Sequence, residues 1–381
     1  MKKKRASGSL LLSIGTAVPE YRYQQQAIAD FMVRYFRMPE DTGRKLSIIY
    51  KKSGIDYRHS VLPDFFNNGH DPLLFDATSI IPSLSKRMGI YQAAAADMAV
   101  EAAKDCLANI SRKAGKRILP ITHLISVSCT GMSAPGLDLQ VMQQLQLDDN
   151  VARTSVNFMG CYAAFHAMKM ADAICRADNE ATVLIVMVEL CSLHFQPELD
   201  SQNLVVNSLF ADGAAAMVIS SGKKCRKTEH PAFAINGFYS KVLHEGKAMM
   251  TWHPSEKGFL MGLDSLVPQL IEDHAGPMME EALESFNSKR SKITHWAIHP
   301  GGRKILEAVK RGMRLTDDNL MESYEVLRNF GNMSSPTIAF VLKRMMQDHA
   351  SWKKKVRILS AGFGPGITIE TALLKPVIAS S

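Results

Sequence analysis

Short apolar runs alternate with longer helical segments along the 381 residues of this chain. The runs over 122–128 and 181–189 are almost continuously apolar, which is typical of strands in a sheet covered on both faces. Residues 92–109 are rich in alanine and have helical periodicity. The same patterns predict helices over 21–50, 137–147, 162–176, 303–313 and 336–348, and strands over 9–14, 154–157, 211–219, 293–298 and around 362–366.

This order of elements occurs twice, on either side of a polar break near 221–230. Each half ends in a glycine-bearing turn, at Gly213 and at Gly366, that leads into an apolar strand. We therefore predict an α/β fold made of two related halves, residues 1–221 and 222–381.

The composition indicates a large globular protein, since 46% of the residues are hydrophobic. No apolar run is long enough to span a bilayer. The basic start is followed by an apolar segment too short for a signal peptide. The six cysteines have no metal-ligand spacing, and a chain of this size does not need disulfides. These features predict a cytoplasmic protein with reduced cysteines and no metal.

The net charge is +8 at pH 7. The basic residues are scattered and do not alternate with aromatic residues, so we expect no nucleic-acid partner. A diffuse positive field would attract an anionic small molecule, and an ordinary solvated surface explains the charge equally well.

Cys161 is the first candidate for chemistry. It follows a short predicted strand and Gly160, and it precedes an alanine-rich helix. The positive end of a helix favours a thiolate and lowers the pKa of a cysteine from its usual value of about 8.5. The backbone N–H of Cys161 could also donate to an oxyanion. A buried structural cysteine is the alternative interpretation.

An imidazole and a carboxamide stand at similar positions farther along the chain. His299 ends an apolar strand before Pro-Gly-Gly, where it could hold Cys161 as a thiolate–imidazolium pair. Asn332 lies in a turn where Ser334 or Ser335 can cap the next helix. Two neutral donors can stabilise the enolate formed when a malonyl thioester loses carbon dioxide. Ordinary structural roles in turns are the alternative for both residues.

Several motifs resemble those of the type III polyketide synthases, the chalcone synthase-like branch of the thiolase superfamily. They occur in the family's order across nearly the whole chain, at 122–125, 160–161, 209–216, 298–302, 331–335 and 362–366. The resemblance implies a thiolase-like fold of duplicated αβαβα halves in a five-layer core. It also implies a homodimer that uses acyl-CoA and malonyl-CoA, with no cofactor beyond these coenzyme A thioesters.

The resemblance assigns roles to individual residues. Cys161 would carry the starter and the growing chain, while His299 and Asn332 would decarboxylate malonyl-CoA. Phe210 matches a gatekeeper between the coenzyme A tunnel and the cavity. Glu189 matches a buried acid in a hydrogen-bond network for cyclisation.

Basic residues match part of the family's coenzyme A site. Lys45 and Lys52 align with lysines that bind its phosphates, whereas Ile48 replaces a third basic residue of the plant enzymes. Arg303 or Lys304 could compensate for this loss. Apart from the resemblance, each would be a solvated surface charge.

The predicted cavity departs from the plant enzymes. Met261 replaces a second gatekeeper phenylalanine, and Ala134 lies where a methionine reaches into the partner's cavity. The remaining predicted cavity residues are Cys129, Cys191, His194 and Ser334. A flexible methionine and small side chains favour a fatty-acyl starter and an alkylpyrone or alkylresorcinol product.

Two other functions fit some of these features. A single-step ketoacyl synthase, or another thiolase-superfamily acyltransferase, would also use a cysteine and coenzyme A thioesters. A non-catalytic scaffold of the same fold would need none of the three reactive residues.

Overall fold

A computed structural model describes residues 8–65, 71–76, 81–114, 120–198, 200–222, 231–348, 352 and 356–377, without the side chains of 111–114. Most of the polar break predicted near 221–230 lies outside the described residues. No helix of the described residues is long and apolar enough to cross a membrane.

Thirteen strands lie within the described residues. They are β1 (Ser9–Ala17), β2 (Tyr21–Gln24), β3 (Tyr57–Ser60), β4 (His123–Ser128), β5 (Ala152–Asn157), β6 (Thr182–Leu190), β7 (Asp212–Ser221), β8 (Ala232–Val242), β9 (Met250–Ser255), β10 (Gly258–Leu263), β11 (His295–Ile298), β12 (Ile358–Gly364) and β13 (Thr368–Val377). Nine of them form one sheet in the order β11-β12-β13-β8-β1-β7-β6-β4-β5. The other four form two ribbons, β2 with β3 and β9 with β10.

Ten α-helices also lie within the described residues. They are α1 (Gln25–Tyr35), α2 (Glu40–Lys52), α3 (Leu84–Ala114), α4 (Leu137–Gln144), α5 (Ala163–Ala177), α6 (Ser201–Leu209), α7 (Val267–Ser285), α8 (Arg303–Gly312), α9 (Met321–Phe330) and α10 (Thr337–Gln347).

The sheet repeats one pairing pattern on either side of its centre. From β1 outward through β7, β6 and β4, the pairings are antiparallel, antiparallel and parallel. From β8 outward through β13, β12 and β11, the same three pairings follow in the same order. A short antiparallel contact between β1 and β8 joins the halves. The described chain therefore contains two related α/β halves, while the division at 221 stays a prediction.

Three apolar clusters separate the layers of the molecule. Alternate side chains of a strand face opposite sides, so that Leu184 packs toward α3 and Ile185 packs toward α5 and α10. In the second half, Ile358 packs toward α5 and α10, and Leu359 packs toward α7 and α8. The order of layers is therefore outer helices, the half of the sheet that contains β6, the central helices α5 and α10, the half of the sheet that contains β12, and outer helices again. This is the five-layer arrangement that was predicted.

Some predicted boundaries differ from the structure. The helix predicted over 21–50 is wrong at its start, where β2 pairs with β3, and it is interrupted between α1 and α2 near Pro39. The helix predicted over 92–109 is correct but too short, since α3 begins at Leu84. Pairing with β3 overrides local helical preference at the start of the first segment. The interruption near Pro39 has a local cause, since proline cannot continue a helix.

Candidate active site

Cys161 lies in a single helical turn immediately before α5. Gly160 begins this turn with φ of +73°, a conformation that favours glycine. A Cβ on Gly160 would lie only 2.6 Å from Cδ of Pro365, so the 362–366 turn packs directly on the cysteine turn. Cys161 itself is 7% exposed and lines a cavity.

Asn332 has a fixed backbone and a fixed side chain. Its N–H donates to the Leu209 carbonyl and its own carbonyl accepts from Ala211, each over 2.9 Å. Its Nδ2 donates to the Gly301 carbonyl over 3.2 Å, and its Oδ1 accepts from the Ser334 N–H over 2.8 Å.

The Asn332 carboxamide also contacts the candidate nucleophile, since its Oδ1 and Nδ2 each lie 3.9 Å from Sγ of Cys161. Its hydrogen bond to Gly301 holds the loop after β11 beside Cys161 as well. The structure thus brings together three motifs that are far apart in the sequence.

His299 follows β11, and its N–H donates to the Ala361 carbonyl over 2.8 Å. The residue is fully buried, and neither ring nitrogen has a hydrogen-bond partner among the described residues. Burial lowers the pKa of His299 to about 3, so the ring is neutral at pH 7. The predicted thiolate–imidazolium pair is therefore not formed in this structure.

Burial also decides the ionisation of Cys161. It raises the pKa of the thiol to about 11, although hydrogen bonds with Ser334 and Asn332 act in the opposite direction. The prediction that the end of the helix lowers the pKa of Cys161 is therefore wrong for this structure. The reason is that the loss of water around Sγ outweighs the partial charge of a helix terminus.

Glu189 stands at the carboxyl end of β6 and is completely buried. Its carboxylate accepts hydrogen bonds from the Cys129 N–H over 3.0 Å and from the Thr130 and Ser335 hydroxyls over 2.8 Å each. Burial raises the pKa of Glu189, and these bonds oppose the rise. Ser335 is held by this acid, and α10 has no side-chain cap, so the predicted serine cap is wrong.

A narrow cavity opens beside Cys161. Its volume is about 40 Å³. Six predicted cavity residues line it, namely Cys129, Cys191, His194, Phe210, Met261 and Ser334. Sequence analysis missed other lining residues, including Phe195, Gln196, Val206, Trp252 and Phe259.

His194 is part of the cavity wall and has no free nitrogen. Nε2 donates to the Thr130 carbonyl over 2.7 Å, and Nδ1 accepts from the Phe259 N–H over 3.0 Å. Burial lowers the pKa of His194 to about 3, and its ring stacks on Phe259 with centroids 4.4 Å apart. The Trp252 ring packs edge to face against the His194 ring, and its indole N–H donates to the Cys129 carbonyl over 2.7 Å.

Ala134 lies at the surface and is absent from the cavity wall of this chain. The predicted coenzyme A residues Lys45, Lys52, Arg303 and Lys304 are likewise exposed. Arg303 pairs with Glu307 over 2.8 Å, and its side chain lies against Gly54, which follows α2. The end of α2 and the start of α8 therefore meet at one basic rim.

Comparisons with known proteins agree with this geometry. The chain matches the N-terminal domain of the chalcone and stilbene synthases over residues 1–223 and their C-terminal domain over residues 236–378. It is 31% identical to "Alpha-pyrone synthesis polyketide synthase-like Pks18" of Mycobacterium tuberculosis, over 96% of this chain and 90% of that protein. It is 29% identical to "3,5-dihydroxyphenylacetyl-CoA synthase" of Streptomyces toyocaensis, over 96% and 89%.

The fold has close structural relatives. The crystal structure of PKS-I from the brown alga Ectocarpus siliculosus superposes with a TM-score of 0.91 and 27% identity, over 99% of this chain and 100% of that one. The chain therefore belongs to the chalcone and stilbene synthase family and is a type III polyketide synthase of the bacterial type. The predicted thiolase-like fold and the predicted acyltransferase class are confirmed.

Proposed function

We propose that the protein extends an acyl-CoA starter by repeated decarboxylative condensation with malonyl-CoA. The Cys161 thiolate attacks the starter carbonyl, and the coenzyme A thiolate leaves. Malonyl-CoA then loses carbon dioxide, and the electron pair of the broken bond becomes an enolate. Its carbon attacks the acyl-cysteine, so that a carbon–carbon bond forms, the carbon–sulfur bond breaks and Cys161 is released.

The observation that carries this proposal is the contact between the fixed Asn332 carboxamide and Cys161. One hydrogen of Nδ2 is directed to Gly301, and the other makes only a long 3.9 Å contact with Sγ of Cys161, so we propose that it donates to the thioester oxygen of the malonyl group. The neutral His299 ring supplies a second donor of the kind that stabilises a developing enolate. We also propose that His299 takes the proton of Cys161 before acylation.

We further propose a fatty-acyl starter and an alkylpyrone or alkylresorcinol product. The cavity is slim and apolar, with Phe195, Val206, Met261 and Trp252 in its wall. Such a cavity fits an unbranched alkyl chain better than a broad planar ring system. The similarity to a mycobacterial protein named for alpha-pyrone synthesis agrees with this product class.

The basic rim suits the phosphates of coenzyme A. Lys52 ends α2 two residues before Gly54, against which Arg303 at the start of α8 lies, and Lys45 stands two turns earlier on α2. The amino end of a helix adds partial positive charge. We propose that these four residues bind the coenzyme A portion of both substrates.

A homodimer is the proposed assembly. The edge strand β5 pairs only with β4 in the described chain and is exposed along most of its length. Met132, 50% exposed, and Ala134 lie nearby in sequence, between β4 and α4. An unpaired edge beside apolar residues favours contact with a second copy. The five free cysteines among the described residues support a cytoplasmic location.

Mass spectrometry of the products tests the function. Purified protein is given malonyl-CoA with acyl-CoA starters from acetyl to stearoyl, and we expect two or more acetate units to be added to long-chain starters. A single added unit would instead indicate a ketoacyl synthase, and activity confined to short or aromatic starters would exclude the fatty-acyl proposal.

A variant pair tests the nucleophile. We expect Cys161→Ala to abolish elongation while retaining malonyl-CoA decarboxylation, since His299 and Asn332 remain. The matched control is Cys175→Ala, at a buried cysteine outside the cavity, which should elongate normally. Polyketide release by the Cys161→Ala protein would show that the nucleophile assignment is wrong.

A further inference from the structure

Arg58 on β3 is a buried cation with no counter-ion of the usual kind. It is 1% exposed, and among the described residues no carboxylate lies within ion-pair distance of its guanidinium. The guanidinium instead lies between the rings of Tyr50 and Phe195, 5.3 Å and 5.4 Å from their centroids. Because burying an unpaired charge is costly, its surroundings must supply the compensation.

The carboxyl end of α6 supplies part of it, and the buried Asp212 carboxylate adds attraction at longer range, while Nη2 has no hydrogen-bond partner among the described residues. Arg58 Nη1 donates to the carbonyls of Asn207 and Phe210, over 2.7 Å in each case. Its Nε donates to Gln25 Oε1 over 2.8 Å, and Gln25 Nε2 in turn donates to the Ser208 carbonyl over 2.8 Å. The last carbonyls of a helix carry partial negative charge and lack intrahelical donors, so a guanidinium is a suitable cap.

The capped segment leads directly to the active site. Phe210 is the first residue after α6, and it forms a parallel bridge with Asn332. The Asn332 backbone is bonded to Leu209 on one side and to Ala211 on the other. Phe210 and Asn332 are therefore held by the same set of backbone hydrogen bonds.

Arg58 also touches these hydrogen-bonded segments from the side of Asn332. Gly331 has φ of +69°, and a Cβ there would lie 3.0 Å from Cγ of Arg58 and 3.1 Å from the Leu209 carbonyl oxygen. The absence of a side chain at Gly331 thus lets the stem of Arg58 pack against the loop that carries the carboxamide.

We propose that Arg58 is a positioning residue for both steps at the cavity. By capping α6 it sets the place of the Phe210 ring and, through the shared backbone bonds, the place of the Asn332 carboxamide. Loss of the cap would change starter selection and malonyl decarboxylation in one event. This inference rests on the roles proposed above for Phe210 and Asn332.

The test replaces Arg58 by lysine, which keeps the charge but loses the planar fork that reaches two carbonyls and Gln25 at once. In a Cys161→Ala background, we expect kcat for malonyl-CoA decarboxylation to fall roughly tenfold or more, since small displacements of a catalytic group cost that much. KM for malonyl-CoA should stay within about twofold, because the proposed coenzyme A rim is untouched.

The matched control is Arg22→Lys. Arg22 lies on β2 of the same ribbon, is exposed, and stacks over Tyr57 with 3.6 Å to the ring centroid. This substitution also exchanges a guanidinium for an ammonium beside an aromatic ring, but Arg22 has no hydrogen bond to α6 among the described residues. Decarboxylation and the preference between decanoyl-CoA and stearoyl-CoA should both match the wild-type protein.

A readout that simple destabilisation would not produce is non-additivity with Asn332→Ala. If Arg58 acts through the carboxamide, Arg58→Lys should lower the residual decarboxylation of the Asn332→Ala protein by less than about twofold. An undiminished defect in that background, or a wild-type rate and starter preference in Arg58→Lys alone, would overturn the proposal.

A second variant covers the possibility that Arg58→Lys does not fold. Gln25→Met leaves the cation and its two carbonyl bonds in place but removes both the bond that orients Nε and the Gln25 bond to the Ser208 carbonyl. We expect a smaller defect of the same kind. Wild-type decarboxylation and starter preference in a folded Gln25→Met protein would count against the proposal. If Asn332→Ala alone leaves decarboxylation intact, the proposed function is wrong, and that outcome is separate from the behaviour of Arg58.

Discussion

Cys161 and His299 are both buried in surroundings that oppose charge. The pKa of the thiol is raised to about 11 and that of the imidazole is lowered to about 3, so each group alone is neutral at pH 7. Transfer of the thiol proton to the ring would create two opposite charges that stabilise each other. The activation proposed above, in which His299 takes the Cys161 proton, therefore requires the two residues to change charge together.

This dependence predicts a change in pH profile. Below its pKa a thiol is protonated, so the alkylation rate of an isolated buried cysteine rises with pH until that pKa is reached. In His299→Ala we expect alkylation of Cys161 by iodoacetamide to rise about tenfold per pH unit toward pH 11. If His299 takes the Cys161 proton, as proposed above, the wild-type rate should instead level off at lower pH. Peptide mass spectrometry from about pH 6 to about pH 10 measures this.

Cys191 provides an internal control for the same samples. It is as exposed as Cys161, at 7%, and lines the same cavity. Its labelling profile should not respond to His299→Ala. Identical Cys161 profiles in the wild-type and variant proteins would contradict the proposed activation.

Trp252 limits the width of the cavity and should therefore limit the substrate. We expect Trp252→Ala to raise kcat/KM for stearoyl-CoA relative to decanoyl-CoA and to lengthen the products, because the indole would no longer occupy the wall. Trp252→Phe, which keeps an aromatic ring, should change both much less. An unchanged product pattern in Trp252→Ala, observed by mass spectrometry, would show that chain length is set elsewhere.

Sequence reasoning located the candidate reactive residues more completely than the side chains of the cavity wall. Cys161, His299 and Asn332 stand in short motifs with glycine and a helix start beside them. Trp252 and Phe259 belong to the β9–β10 ribbon and have no such local sign. Their place beside His194 arises from packing between segments that are distant in sequence, which a local pattern does not encode.

At the scale of elements, the turn at Gly160 couples the two halves. It packs under Pro365 in a backbone conformation that favours glycine. We expect Gly160→Ala to lower the free energy of unfolding by roughly 1–3 kcal/mol, through backbone strain and contact with Pro365. Urea denaturation followed by circular dichroism measures the change.

Gly89 is the matched control for this substitution. It lies exposed within α3, and a Cβ there meets no atom within 4 Å. Gly89→Ala should raise the free energy of unfolding by up to about 1 kcal/mol, because alanine favours helix. A loss of stability at Gly89 equal to that at Gly160 would refute the steric explanation.

The elements were predictable where one preference dominated. Continuous apolar runs indicated β4 and β6, and alanine-rich periodicity indicated α3 and α5. The β2–β3 and β9–β10 ribbons were not predicted. The residues of β2, β3 and β9 are mostly polar or aromatic in no simple period, and β10 is a short apolar segment that does not alternate. Their pairing partners, rather than their own sequences, determine their conformation.

At the scale of the whole molecule, the proposed dimer gives a direct prediction. We expect the protein to sediment as a dimer and Met132→Glu to shift it toward the monomer, since a carboxylate would be buried at the contact. The control is Met321→Glu at the start of α9, where a methionine 57% exposed lies far from β5 in the sequence. Equal sedimentation of both variants and the wild-type protein would place the dimer contact elsewhere.

The central position of β1 has a consequence for how the protein is made. This first strand of the chain pairs through Leu10 with Ser220 on one side and with Ala234 on the other. During synthesis β1 leaves the ribosome long before either partner exists, and its apolar residues remain unpaired until more than half of the chain has followed. Such non-local pairing slows folding and prolongs the exposure of aggregation-prone hydrophobic surface. We therefore expect the yield of folded enzyme in a cell to rise with added chaperones and at lower growth temperature.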